Sequence, residues 1–498
     1  MKAHLLFPRS DFSPTVLGPL QVDLIQDLEL DVLFRAMSND DPFLLETVRN
    51  LLLAPQSDLE VLGWRQAVFK DCLKNQELVR QLYDWTVQAI EQERENYLSL
   101  YIKHPGFVIS RSSEVLEMFL GILFQMRRLA EKSVSLFDSP GFRQFLSLLQ
   151  TELNDDYLAA VRGLLEELKF PQGVVLSAKL GVGFKGEPYT LSRRDEAPQG
   201  WLDKLKSVLK KRPPSFRLTI AERDEKGARA LSELYDHGVN QVANVLAQAT
   251  DHLLGFLVHL RTELAFYIAG IQLKQKLDSK EIPSCFPELF SAQERQFQVA
   301  ELVDPCLALS LTSPAVGNTF DGTAQNLVIV TGANQGGKST FLRSVGLSFL
   351  MAQSGLFVAG QSCRLSVTHG LFTHFRRKED ASMTSGKLDE ELARMNSLVE
   401  KLGSHAVVLF NESFAATNER EGSEIAAQII DALCERKIRI FFVTHQYELA
   451  RRYFDKNKPD AVFLQAELKP DGSRSFRLTQ GTPQPGSHGI DLYNEIFG

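Results

Sequence analysis

Gly332-Ala333-Asn334-Gln335-Gly336-Gly337-Lys338-Ser339 is the stretch on which the reading of this chain turns. The apolar run Leu327 to Val330 leads into it, and the helical-looking stretch Thr340 to Met351 leaves it. Strand, glycine loop and helix in that order form the setting of a phosphate-binding loop. The glycines let backbone N–H groups converge on phosphate oxygens, and the N-terminus of the following helix adds positive potential. In such a loop Lys338 reaches the β- and γ-phosphates and Ser339 holds Mg²⁺. The flanking strand and helix set this pattern apart from an ordinary glycine turn.

Two further strand ends carry chemistry. Val407-Val408-Leu409-Phe410-Asn411-Glu412 is a buried-looking strand that ends in a polar pair, the Walker B pattern. The first position of such a pair binds Mg²⁺ through water, and the second polarises the attacking water. Here the first position is Asn411. Its amide oxygen can accept a hydrogen bond from a Mg²⁺-bound water but brings no negative charge, so metal affinity falls. Glu412 keeps the general-base position. Phe441-Phe442-Val443-Thr444-His445 is a third apolar strand, and His445 stands where a terminal phosphate would be sensed or a water positioned.

The chain has 498 residues, enough for two to four domains, and 44% hydrophobic and 23% charged residues, as in an ordinary globular protein. Leu253 to Ile271 comes nearest to a membrane span, but Arg261 and Glu263 interrupt it. The apolar part of Met1 to Pro8 is too short for a signal peptide, so the expected location is cytoplasmic. Cys72, Cys285, Cys306, Cys363 and Cys434 are scattered and read as buried small hydrophobes. A formal charge of −7 confines nucleic-acid contact to a local basic patch or the inside of a ring.

Residues 1–170 read as a helical core, with Asp41 ahead of Pro42 marking one helix start and a Ser57 to Glu60 capping box another. Residues 171–222 change period and read as a small irregular or β-containing insertion with a basic stretch at Lys204, Lys206, Lys210, Lys211 and Arg212. Residues 223–300 return to a long helical pattern, a lever or coiled-coil-like arm. Residues 301–498 alternate strands and helices around the glycine loop, an α/β domain whose near-continuous apolar runs suit parallel strands buried on both faces.

Thr331 to Thr340, including Asn334, resembles the Walker A element of the MutS family of DNA mismatch repair proteins. Asn411-Glu412-Ser413-Phe414 through Thr417 to Gly422 resembles its Walker B and D-loop, and Thr444-His445 with Glu448-Leu449 its switch-histidine segment. Phe372-Thr373 and Glu379-Asp380 through Ser385-Gly386-Lys387 are similar to the approach to its signature loop, and Ser487-His488-Gly489 to its late Ser-x-Gly element. Residues 300–498 carry the resemblance most fully; 20–170 and 225–280 carry it as helical core and lever. The resemblance implies a multidomain chain, an α-helical core and lever region followed by an α/β ABC-type P-loop ATPase domain. It implies ATP and Mg²⁺ at Gly332, Ala333, Asn334, Gln335, Gly336, Gly337, Lys338, Ser339 and Thr340, metal contacts from Ser339 and Asn411, and catalysis by Glu412, His445 and Lys338. Ser385 and Gly386 would meet the nucleotide of a second copy across an ATPase-domain homodimer. DNA would be the partner, in repair or recombination, with the basic insertion as a reduced clamp and no membrane partner.

The sequence departs from the family in three places. Asn411 replaces the Walker B aspartate. Leu388-Asp389-Glu390-Glu391 follows Ser385-Gly386-Lys387 in place of Ser-Thr, and acids there would repel a phosphate, so the helix is expected to be offset with Ser385 and Gly386 making the contact. Too few residues precede the core for the mismatched-DNA-binding domain, no Phe-x-Glu wedge occurs near the N-terminus, and no nuclease-like extension follows. A branched or otherwise non-mismatch DNA structure is therefore the expected client. The alternative, favoured by Asn411, the acidic helix start and the overall charge, is a nucleotide-gated protein-interaction module with weak hydrolysis and no DNA binding.

Overall fold

The computed structural model describes residues 1–12, 19–95, 105–170, 174–180, 186–192, 224–377, 386–469 and 473–483. The basic stretch Lys204 to Arg212, the β-like run Ser215 to Ile220, Lys378 to Asp380, Ser385 and Ser487-His488-Gly489 lie outside the described residues. The chain divides into two compact units, one of Met1–Ala3, Gln81–Ser135 and Gln144–Arg261, the other of His4–Arg80, Leu136–Arg143 and Thr262–Gly498.

In the first unit each helix contributes one apolar stripe. Ile109, Leu116 and Leu120 of Pro105–Ser133 meet Leu158 and Leu165 of Asp155–Leu168 and Val239, Ala243 and Leu246 of Glu225–Asp278. The spacings of three, four and seven put these side chains on one helix face. Asn154 starts the middle helix by accepting from the Tyr157 N–H. The strands Val175–Leu180 and Gly186–Ser192 pair as an antiparallel hairpin. Helix Glu225–Asp278 runs for 54 residues. By length and composition its Gly238–Asp278 part would cross a bilayer, despite Arg261 and Glu263, yet 67% of the most apolar window is buried inside the protein. Core packing accounts for its apolar character.

The second unit opens with helices that start on side-chain caps. Asp41 accepts from Phe43 and Leu44 N–H ahead of Pro42–Leu52, as the Asp-Pro pattern predicts. Leu59–Lys74 starts on Asp58, which accepts from Glu60 N–H; the Ser57 to Glu60 box expected from sequence is displaced by one residue. A carboxylate forms a charge-assisted cap and also suits the helix dipole, so Asp58 outcompetes the neighbouring serine.

The centre of this unit is a six-stranded sheet. In chain order its strands are β1 (Leu327–Thr331), β2 (Leu371–Phe375), β3 (Val407–Asn411), β4 (Arg439–Val443), β5 (Ala461–Leu468) and β6 (Arg474–Gln480). They lie side by side as β2-β3-β4-β1-β5-β6, all parallel except β6, which turns back on β5. Alternation sorts the side chains. Ile329, Val408, Phe410, Ile440 and Phe442 share one core with Met395, Leu398, Ala426, Ile430, Leu449 and Tyr453 of the helices Lys387–Val399, Glu419–Glu435 and Tyr447–Asp455. On the other face Leu409 touches helix Lys338–Ala352 at Gly346, and Phe441 meets Phe297 edge-on at 5.5 Å. Phe297 belongs to a second, four-stranded sheet of Glu288–Phe290, Ser362–Ser366, Phe297–Leu302 and Asn318–Asp321. Both faces are thus covered, which is why β1 and β4 are buried at every position.

Candidate nucleotide and hydrolytic site

Because β3, β4 and β1 are parallel neighbours, their carboxyl ends deliver three loops to one edge of the sheet. Backbone bonds beyond the strands keep those loops in register. Thr444 N–H donates to Val330 C=O (3.1 Å), Glu412 N–H to Val443 C=O (2.9 Å) and Arg376 N–H to Asn411 C=O (2.9 Å). The loop after β1 carries the glycine motif, the end of β3 carries Asn411 and Glu412, and the end of β4 carries Thr444 and His445.

The glycine loop is shaped by positions that only glycine fills well. Gly332 has φ +113° and Gly337 φ +90°, conformations that L side chains rarely adopt. A Cβ at Gly337 would sit 3.0 Å from the Phe476 carbonyl oxygen, and one at Gly336 2.6 Å from Ala466 Cβ. Gln335 is itself left-handed at φ 58°, with its amide oxygen accepting from Arg474. Lys338 opens the helix but is buried, and its ammonium donates to the carbonyls of Gly332 (2.7 Å) and Ala333 (2.8 Å). Burial pushes its pKa down to about 8, with Glu412 pulling it up and Arg474 adding to the depression. The side chain thus holds a poorly solvated charge that an anion in the loop would stabilise.

Ser339 Oγ donates to Asn411 Oδ1 at 3.1 Å. These two oxygens form the neutral pair available to a divalent cation. Glu412 Oε1 lies 2.9 Å from His445 Nε2. That hydrogen bond holds Glu412 below the ordinary carboxylate range against the opposing effect of burial, and Lys338 and Arg376 pull the same way. Glu412 also sits at φ 55°, so its carboxylate is presented from a strained turn.

A cavity of about 460 Å³ lies over the loop. One wall is Asn334, Gln335, Gly336, Gly337, Lys338, Ser339, Thr340 and Glu412; the other is Leu307, Leu311, Pro314, Val316 and Phe476. The Asn318 amide donates to the Phe476 carbonyl at 3.4 Å and accepts from the Leu478 N–H at 2.8 Å, which holds β6 beside the cavity. Sequence reading missed this apolar wall; its residues come from a helix, a proline loop and β6, and no local pattern joins them. A phosphate-sized polar end and an apolar end in one cavity suit a nucleotide. Gly336 and Gly337 line the cavity without side chains, Lys338 brings an ammonium held by two carbonyls and attracted by Glu412, and Ser339 with Asn411 offers hard oxygens. These residues fit a triphosphate and Mg²⁺.

Gly332 and Ala333 contribute the carbonyls that hold Lys338. Gly386 caps helix Lys387–Val399 and does not line the cavity. Asp389 and Glu390 occupy that helix's first turn, where its positive end stabilises them, and Glu391 is buried. The acids that depart from the family pattern are therefore helix-start residues. Arg377, two residues past β2, pairs with Asp23 (2.5 Å) and Asp27 (2.8 Å) of helix Pro19–Asp27, a structural role.

Family models match two separate parts of this chain: the MutS2 N-terminal domain over residues 57–280 and MutS domain V over residues 328–494. The chain belongs to the MutS family. The domain V match holds all three loops. Among MutS-family relatives, the probable DNA mismatch repair protein Msh6 of Drosophila melanogaster is 33% identical over 166 residues, 33% of this chain and 14% of that protein. Endonuclease MutS2 of Lactiplantibacillus plantarum is 30% identical over 181 residues, 35% of this chain and 22% of that protein. Endonuclease MutS2 of Thermus thermophilus is 32% identical over 136 residues, 27% and 18% of the two chains. The matched stretches thus span less than a quarter of these relatives' own lengths.

Proposed function

We propose that this MutS-family chain binds and hydrolyses ATP and acts as an ATP-driven dimer on DNA structures in repair or recombination. The observation that carries the reading is that Lys338, Ser339 and Glu412 line one cavity, with Asn411 bonded behind Ser339 and His445 bonded to Glu412. The triphosphate lies along the N–H groups of Asn334 to Thr340, with the base against Leu307, Leu311, Pro314, Val316 and Phe476. Lys338 leaves its carbonyl partners for the β- and γ-phosphate oxygens. Mg²⁺, held through Ser339 and water on Asn411, supplies positive charge to the β- and γ-phosphates. Glu412 orients the attacking water and receives its proton, while His445 holds the carboxylate and faces the terminal phosphate. The α/β domain is read as ABC-type, with Ser385 and Gly386 of a second copy covering the nucleotide. Binding then closes the dimer and hydrolysis opens it.

DNA as the client is supported by the family and by the names of its relatives, two endonucleases and a probable mismatch repair protein. The neutral Asn411 supports a second reading, a nucleotide-gated module that turns over slowly and binds a protein. ATPase assays with and without duplex, single-stranded and branched DNA across a salt series separate them. Stimulation by DNA that is lost at high salt supports the first reading; nucleotide binding with negligible turnover and no DNA shift supports the second.

A further inference from the structure

We propose that His374 is a positioning residue that couples the helix behind Gly386 to the hydrolytic carboxylate of Glu412. The inference rests on the nucleotide reading above and concerns a residue, His374, that does not line the cavity. His374 lies on β2 in register with Phe410 of β3 and is 1% exposed. Its ring stacks on Phe414 at 5.2 Å and tilts against Phe410 at 5.8 Å. Nδ1 is 2.8 Å from Ser413 Oγ, and Nε2 is 3.0 Å from the Glu391 carbonyl oxygen. The tautomer protonated at Nε2 satisfies both contacts: it donates to Glu391 C=O and accepts the Ser413 O–H. The same hydroxyl lies 2.5 Å from the His374 carbonyl, so its one proton is shared between that carbonyl and Nδ1 of the same residue. Burial pushes the imidazole pKa down to about 4, which keeps the ring in the neutral form this bridge needs.

What the bridge holds is a strained turn. Glu412 and Phe414 flank Ser413 with φ of 55° and 60°, both left-handed and neither glycine. Such residues persist where their surroundings over-determine them. The helix Lys387–Val399 grips this turn twice, through the ring to its Glu391 carbonyl and through the Glu391 carboxylate, which accepts the Phe414 N–H. The carboxylate's other oxygen, Oε2, is buried with no hydrogen-bond partner among the described residues. Since Gly386 caps this helix, a shift at the cap is felt at the turn that aims Glu412. His374 thereby ties hydrolysis to whatever engages Gly386, with no contact to nucleotide.

The test uses the full chain and three variants, His374→Ala, His374→Gln and Ser413→Ala. His374→Gln carries an amide N–H toward Glu391 and serves as the conservative rescue. His374→Ala is expected to lower kcat by roughly 10- to 100-fold while the Kd for a fluorescent ATP analogue changes less than about threefold. Ser413→Ala follows in the same direction, and His374→Gln recovers part of the loss. Hydrogen exchange supplies a readout independent of turnover. On adding a non-hydrolysable ATP analogue, exchange in residues 387–395 and 411–416 changes together in the wild type, and the two segments respond separately in His374→Ala. A wild-type kcat in His374→Ala, or exchange that stays coupled in it, overturns the proposal. Equal losses in Kd, kcat and melting temperature for all three variants assign His374 to packing alone and also overturn it. A wild type without ATPase activity removes the hydrolytic reading instead, and the exchange experiment still decides the coupling.

Discussion

Replacing Glu263 with glutamine is expected to change the pH dependence of folding more than any single surface substitution. Glu263 lies on helix Glu225–Asp278 and is buried, with the Leu5 N–H donating to Oε2 at 3.0 Å. The surrounding groups hold the same N-terminal segment: Tyr267 O–H donates to Leu5 C=O at 2.7 Å, Arg65 Nε to Leu6 C=O at 3.0 Å, and Trp64 Nε1 to His4 C=O at 3.0 Å. Burial pushes the Glu263 pKa up from 4.5 to about 7, against the bonds from Leu5 and Leu6 that pull it down. The folded state therefore keeps a proton that the unfolded state loses first. The stability this group contributes is fully present below about pH 4.5 and is lost as pH rises through about 7. At about 1.4 kcal/mol per pH unit the gap sets an upper bound of roughly 3 kcal/mol. Glutamine keeps a carbonyl for the Leu5 N–H and carries no charge, so the variant loses this pH dependence. Urea unfolding of both proteins from pH 4 to 8 measures the difference, in which other titrating groups largely cancel. The variant should gain on the wild type steadily across that window, by up to roughly 3 kcal/mol. Parallel stability curves would show that Glu263 is ionised in the folded protein and refute the reasoning.

Four further outcomes are expected from the nucleotide site. Lys338→Ala abolishes ATP binding in calorimetric titration, since it removes the buried cation that faces Glu412 and the loop; retained affinity would discard the proposed phosphate contacts. Glu412→Gln keeps ATP binding but lowers kcat by roughly 10²- to 10⁴-fold and traps the ATP-bound state, read by single-turnover assay. Gly337→Ala loses nucleotide affinity and costs about 1–2 kcal/mol in unfolding experiments, because alanine is strained at φ +90° and meets the Phe476 carbonyl. Asn411→Asp lowers the Mg²⁺ concentration for half-maximal ATPase severalfold by adding charge beside Ser339, and an unchanged Mg²⁺ requirement would place the metal elsewhere.

Contiguous motifs made the three loops at the sheet edge readable in advance. A glycine loop after an apolar run, and polar residues closing two more apolar runs, each announce themselves within ten residues. Parallel pairing then sets the ends of β3, β4 and β1 side by side. What stayed hidden depends on distant partners. Leu307, Pro314 and Phe476 carry no sign of forming one wall, because a helix, a proline loop and a returning edge strand bring them together. Sequence reading passed over His374, which directly follows Phe372-Thr373; only the register of β2 with β3 sets it between Ser413 and Glu391. Asp58 took the cap expected of Ser57 through a difference of one position and one charge. The departure at Asp389, Glu390 and Glu391 was legible as composition, but its cause, a helix start and a buried carboxylate, required the backbone.

The returning strand β6 has a consequence for synthesis of the chain. Arg474 reaches back to Gln335 across 139 residues, and Phe476 lies against Gly337. A ribosome that has made the glycine loop, and even the strand bearing Glu412, still displays a half-walled cleft. On the proposed nucleotide reading, ATP would be gripped firmly only after the hairpin of β5 and β6 has left the exit tunnel, so a nascent or prematurely terminated product lacking β6 should not compete for nucleotide.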